Sequence, residues 1–287
     1  MYRKVFTMET VAERVKSSMD SLSPTGRRIA RALLADYPSA GLGTTSSLAS
    51  AANSSSASVI RFCAHLGFDS FVEMQELLRT ELTTRSASPL VRAEAESVRG
   101  DSADEYLRIG ADRATLITRT FQQNPKTEID RLVHLLSKVS NRVVVVGGHY
   151  SGLVGRLAQL QLSKVRPGVE FLEDPMGRDL HAVTDLRRRD VLLVLDVRRY
   201  QDHLFEAAEV ARRGSATVAL VTDQWLSPIA GIADVVLQAA VDVSFFDSQV
   251  GCLALVESIV HESATKIDGA IDRLRALEEL RPSSREQ

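Results

Sequence analysis

The sequence predicts two domains of different class. An all-α domain over residues 1–84 precedes an α/β domain over residues 103–280, built on a five-stranded parallel sheet in three αβα layers, with a linker over residues 85–102. Three observations carry this. Up to about residue 82 the apolar residues recur at helical spacing. Thr83 to Pro89 then forms a polar, proline-containing break, followed by charged, apolar-poor sequence to Ser102. Beyond it, five short β-branched apolar runs alternate with helix-length segments, the pattern of strands covered on both faces.

Length and composition agree. A chain of 287 residues fits two domains at roughly 150 residues each and can bury a full core. With 44% hydrophobic and 25% charged residues it has globular composition, so it should fold rather than remain disordered. The net charge is −2, which excludes a bulk cationic coat for nucleic acid or membrane; any nucleic-acid site must be local. Residues 1–85 carry 10 basic against 8 acidic side chains, a small basic bias of +2 on the N-terminal domain. No apolar run approaches the roughly 20 residues that cross a bilayer, and Met1 to Thr10 lacks a signal-peptide core, so a soluble, cytoplasmic protein with no membrane partner is expected. Cys63 and Cys252 read as small core residues in a reducing compartment. The six histidines show no metal-ligand spacing, and neither metal nor cofactor is implied.

In the first domain, Ser23-Pro24 starts and Pro38 stops a helix of about a dozen residues, with Ile29, Leu33, Leu34 and Tyr37 on its apolar face. Two short periodic segments follow, Ser46 to Ala52 and Ser55 to Leu66, joined only by Asn53-Ser54, and a fourth helix opens at Phe71. Asn tolerates the left-handed backbone that such a tight joint needs. Two short helices joined this way and buttressed by a third match a helix-turn-helix, whose second helix lies in the major groove; a plain helical bundle fits the spacing too. As a groove helix, the second segment would offer the small hydroxyls Ser55, Ser56 and Ser58, with Val59, Phe62 and Leu66 facing inward.

Leu48-Ala49, Ala57-Ser58-Val59-Ile60-Arg61-Phe62-Cys63 and Leu66-Gly67-Phe68, with Phe71 following, resemble the N-terminal domain of the RpiR (MurR/RpiR) family of bacterial transcriptional regulators. Ser54 stands where the family usually has Val, and Ser58 where it has Thr. The resemblance implies duplex DNA as partner. It places Ser55, Ser56 and Ser58 at the groove; Thr45 and Ser46 are further candidate DNA-binding residues, and Arg61 is one too, on a phosphate, with a helix-internal ion pair as its alternative. Arg3, Lys4, Arg14, Lys16, Arg27, Arg28 and Arg31 are candidates to neutralise phosphates.

In the second domain the strands fall at Arg142 to Gly147, Val169 to Leu172, Asp190 to Asp196, Ala216 to Thr222 and Asp234 to Leu237. Gly147-Gly148-His149-Tyr150-Ser151-Gly152 leaves the first strand and opens a helix, where glycines let backbone N–H groups approach an anion; a tight strand-to-helix turn is the plain alternative. This loop, the segment Gly214 to Asp223, Ser227-Pro228 and Ala233-Asp234 resemble the sugar isomerase (SIS) domain that follows the helix-turn-helix in RpiR proteins. The resemblance implies strand order 2-1-3-4-5, so the loops after strands one and three would face one ligand. Sugar-phosphate binders of the family carry a ring of hydroxyls after strand three. Here stands Asp196-Val197-Arg198-Arg199-Tyr200-Gln201, two guanidiniums suited to an anion beside a carboxylate that would repel one. Gly148, His149, Ser151, Arg178, Asp196, Arg198, Arg199 and Ser248 are the candidate effector-binding residues; for Arg178 a local ion pair and for Ser248 a helix cap are the alternatives. Val250 to Val260 reads as a core or dimer helix.

The expected function is a DNA-binding regulator whose SIS-like domain senses a small anionic metabolite: a sugar acid, another carboxylated metabolite or a sugar phosphate. It would act as a homodimer or homotetramer on a palindromic operator, its two sites coupled only through the dimer. An aldose-ketose isomerase, or a regulator whose second domain only dimerises, are the other readings.

Overall fold

The computed structural model describes residues 9–86, 90, 103–242 and 246–280. Most of the expected linker 85–102, together with Arg3 and Lys4, lies outside the described residues.

Six helices make the N-terminal unit: α1 (Val11–Ser17), α2 (Pro24–Ala35), α3 (Ser39–Leu42), α4 (Thr45–Ala51), α5 (Ser56–His65) and α6 (Phe71–Ser86). Helices α2, α4, α5 and α6 stand where the periodicity puts them. Helices α1 and α3 are not among the elements read from the periodicity; α3, at four residues, is a single turn. Helix α1 is held by its cap: Thr10 Oγ1 accepts from the Glu13 N–H and the Glu13 carboxylate accepts from the Thr10 N–H. Ile29, Leu33, Leu48, Val59, Phe62, Met74 and Leu78 close one core, with Cys63 among them.

Glu81 of α6 ties this unit together from inside. Its buried carboxylate accepts from the Val11 N–H at 2.8 Å and from the Tyr37 hydroxyl, joining α1, the end of α2 and α6. Burial pushes the carboxyl up to about 7. Between its ordinary value near 4.5 and about 7, the folded chain therefore keeps a proton that the unfolded chain has released, and stability falls as pH rises through that window. Glu81→Gln removes the titration. Thermal unfolding at pH 5 and pH 8 should show the wild type losing more Tm over that interval than the variant; parallel losses would remove Glu81 as the cause.

The second unit opens with α7 (Ala103–Gln123) and α8 (Lys126–Ser137). Then β1 (Val143–Gly147), α9 (Ser151–Val165), β2 (Val169–Phe171), α10 (Leu180–Thr184), β3 (Val191–Asp196), α11 (Asp202–Arg213), β4 (Thr217–Asp223), a 3-10 turn (Pro228–Gly231), β5 (Val235–Ala239), α12 (Val250–Thr265) and α13 (Ala270–Glu279) follow. The five strands are parallel, in the order β2-β1-β3-β4-β5, with Val143 beside Val191 and Leu193 beside Ala219 in register. Side chains alternate between two cores. Val143, Val145, Leu193 and Val221 meet α8, α9 and α12 on one face, and Val144, Leu192, Val194 and Leu220 meet α10 and α11 on the other. Helix α12 buries Cys252, Leu255, Val256 and Ile259, so it is a core helix. The edge of β5 is closed by side chains from the end of α7: Asn124 exchanges bonds with the Gln238 backbone at 2.6 and 2.8 Å, and Thr120 Oγ1 accepts from the Ala240 N–H.

The two units touch directly within one chain. Leu226, after β4, completes the N-terminal core. Lys16 Nζ donates to Gln238 Oε1 at 2.6 Å, and Arg119 pairs with Glu13 at 3.2 Å. This corrects two expectations. Lys16, half-buried, spends its ammonium on Gln238 of β5, with desolvation pushing it down to about 8, and so is turned away from phosphates; and the two sites have a physical path other than the dimer. No helix among the described residues is long and apolar enough to cross a membrane.

Candidate functional site

Helix α4 ends at Ala51, and Asn53 takes the left-handed conformation (φ 47°) that turns the chain into α5. The Ser55 side chain caps α5 by accepting from the Ser58 N–H. Of the three hydroxyls expected at the groove, two form a short chain: Ser55 Oγ lies 3.0 Å from Ser58 Oγ, which accepts from Arg61 Nη2 at 3.0 Å. Ser56 and Ser58 are half-buried, while Ser55 and Arg61 are exposed. In the first turn of α4, Ser46 is exposed and Thr45 half-buried; Arg28 of α2 reaches the turn and donates to the Ala52 carbonyl at 3.4 Å.

The second site lies where strand order reverses between β1 and β3. A cleft of about 440 Å³ opens there, lined by His149, Tyr150, Ser151, Val197, Arg198, Arg199, Gln201, Phe246, Asp247 and Gln249. Next to it, the joint between β1 and α9 is close-packed backbone. A Cβ on Gly147 would stand 2.6 Å from the Gly152 Cα, so strand end and helix start pass without side chains between them. Ser151 locks the two loops together, its hydroxyl donating to the Leu195 carbonyl at 2.6 Å and accepting from the Gly148 N–H at 3.1 Å. His149 packs edge-on to Tyr150, and Tyr150 to Phe246, forming an aromatic lip.

Arg198 and Arg199 part ways. Arg199 is exposed in the cleft. The Arg198 side chain has no solvent contact: Nη1 donates to the Thr84 carbonyl at 2.6 Å, Nη2 pairs with Asp247, and the guanidinium lies 5.0 Å over the Trp225 ring. Beneath it Asp223, fully buried, accepts from the Arg198 N–H, the Tyr200 hydroxyl and the Trp225 N–H, and desolvation holds its carboxyl above the usual range.

Several expectations are corrected here. Asp196 is buried and accepts from the Ser227 hydroxyl below the cleft, because a carboxylate at the end of a doubly covered strand needs an internal donor. Arg198 faces inward, for the same reason of burial. Arg178 lies outside the cleft, paired with Glu173 and Asp179. Ser248 and Gly148 do not line the cleft either: Ser248 sits at the start of α12, its hydroxyl 3.4 Å from the Val250 N–H, and Gly148 gives its N–H to Ser151 and Leu195. His149, Ser151 and Arg199 do meet there. Tyr150, Gln201, Asp247 and Gln249 were not among the candidates; Asp247 and Gln249 flank the candidate Ser248 in sequence.

Residues 9–85 match the model of the helix-turn-helix domain, rpiR family, and residues 135–262 match the SIS domain. The chain belongs to the RpiR family. Among its relatives are two HTH-type transcriptional regulators, both uncharacterized. That of Caldanaerobacter subterraneus is 23% identical over 241 residues, 83% of each chain; YbbH of Bacillus subtilis is 25% identical over 228 residues, 79% of this chain and 78% of that one. The sugar isomerase domain of an RpiR transcription factor from Sphaerobacter thermophilus shares the fold at TM-score 0.56 and 24% identity, covering 61% of this chain and 98% of that one. The Vibrio vulnificus NanR protein, complexed with ManNAc-6P, shares it at TM-score 0.53 and 19% identity, covering 94% of this chain and 97% of that one. This RpiR protein is an HTH-type, DNA-binding transcriptional regulator carrying an SIS domain.

In this RpiR chain Arg198→Ala leaves Asp247 and the Thr84 carbonyl without their donor. Chemical denaturation should show a loss of roughly 3–5 kcal/mol, the usual cost of orphaning one member of a buried pair. A loss below about 1 kcal/mol would mean that the pair is relaxed in solution.

Proposed function

We propose that this RpiR regulator reads a palindromic operator as a homodimer or homotetramer through residues 1–84, and that residues 103–280 bind a small anionic sugar derivative that changes operator affinity, with 85–102 as linker. One observation carries the effector reading: the exposed guanidinium of Arg199 shares a cleft with His149 and with the N-terminus of α9, where backbone dipoles favour an anion. Gln201 and Gln249 supply neutral groups for sugar hydroxyls. NanR, of the same fold, is complexed with the sugar phosphate ManNAc-6P. The loop after β3 in this chain lacks the Ser and Thr hydroxyls that would ring a phosphate, and its one phenol, Tyr200, is spent on Asp223, while the Arg199 guanidinium pairs with a carboxylate as readily as with a phosphate; a sugar acid or other carboxylated metabolite therefore fits better than a phosphosugar. A cytoplasmic setting follows from such a ligand and from DNA.

The same geometry supplies a route between the sites. Asp247 faces the cleft and holds Arg198, and Arg198 holds Thr84 at the end of the helix that leaves the DNA-reading unit. A ligand that draws on Asp247 alters the contact at Thr84, which is differential interaction with two states, the requirement for coupling.

Thermal-shift screening of sugar acids and phosphosugars identifies the ligand, and DNA release then tests the site. Arg199→Ala, a change at an exposed side chain, should abolish the ligand's effect on duplex binding while leaving ligand-free affinity within twofold. An unchanged effector response, or a phosphosugar acting on the wild type at micromolar levels where sugar acids do not, would overturn the reading.

A further inference from the structure

Helix α5 turns about 100° per residue, so Ala57, Ile60, Arg61 and Ala64 fall within one arc of about 100°. All four are exposed, and Ile60 is 54% exposed despite its size. Ser56 and Ser58 border that arc on its two sides, half-buried, and Val59, Phe62 and Cys63 point to the core. The face that a groove helix presents to base edges is thus aliphatic, with one guanidinium held against Ser58 at its margin. More than half of the Ile60 surface faces solvent, an aliphatic side chain at the centre of the arc that the groove helix turns outward. In the major groove, one base feature is aliphatic: the C5-methyl group of thymine.

We infer that this regulator reads thymine methyl groups, through Ile60 with Ala57 and Ala64, as a principal part of its operator specificity. The inference rests on the proposal that α5 enters the major groove, and goes beyond it by assigning the base feature recognised. Ser55 caps the helix and Ser58 holds Arg61, and Arg61 meets a phosphate or a guanine beside the methyl contact.

The test starts from a duplex selected on the full-length protein from a randomised library. Each thymine of the selected half-site is then replaced by uracil, which keeps base pairing and removes only the methyl group. Binding should weaken about fourfold for each methyl in contact, the worth of one buried CH₂-sized group, at one or two positions in each half-site. Ile60→Ala, an exposed change that leaves the melting temperature in place, should bind thymine and uracil duplexes alike at the main position. Uracil duplexes bound as tightly as thymine duplexes, or an Ile60→Ala protein that keeps the full difference, would overturn the inference while leaving groove binding by α5 intact. Failure of the library to enrich any duplex would overturn both.

Discussion

The guanidinium of Arg198 has no water around it, and the arrangement of both units follows from how that charge is satisfied. Burying an unpaired cation is prohibitive, so the chain must bring a carbonyl, a carboxylate and an aromatic face to one point. They come from three places far apart in sequence: Thr84 at the end of α6, Asp247 before α12 and Trp225 after β4. Docking of the helical unit on the sheet and the shape of one cleft wall are thereby parts of the same contact. Lys16 on Gln238 and Leu226 in the helical core reinforce it from either side.

The fold was largely legible in the residues. Runs such as Val143 to Val146 and Leu192 to Leu195, apolar at every position, have no reading other than strands covered on both faces, and Asn53-Ser54 marks its turn by chemistry alone. The cleft was legible only in part. That the loops after β1 and β3 meet follows from strand order, so His149, Ser151 and Arg199 were within reach of sequence reasoning. Which of two adjacent arginines turns inward is decided by Asp247 and Thr84, partners 49 and 114 residues away, and no local pattern encodes such a choice. Asp196 misled for a related reason: its partner Ser227 lies 31 residues on, and without it the carboxylate reads as a ligand group.

The helix-turn-helix shows the complementary limit. Hydroxyl-rich sequence at the start of α5 suggested polar contacts with bases, and two of those hydroxyls, Ser55 and Ser58, also have partners close by, in the cap and in Arg61. Composition names the chemistry present in a segment, while helical phase decides which of it meets a partner. Here phase turns the serines to the margins and the aliphatic residues outward.

The close passage of Gly147 against Gly152 bears on how such a cleft can change over evolutionary time. Gly147 accepts no side chain, since a Cβ there would stand 2.6 Å from the Gly152 Cα, and a Cβ on Gly152 would press on the Gly147 carbonyl oxygen at 3.2 Å. A lineage can therefore vary the cleft-lining side chains around this joint, such as Arg199 and Gln201 after β3 and Gln249 before α12, while the joint itself and the Arg198–Asp247 pair that docks the two units stay as they are.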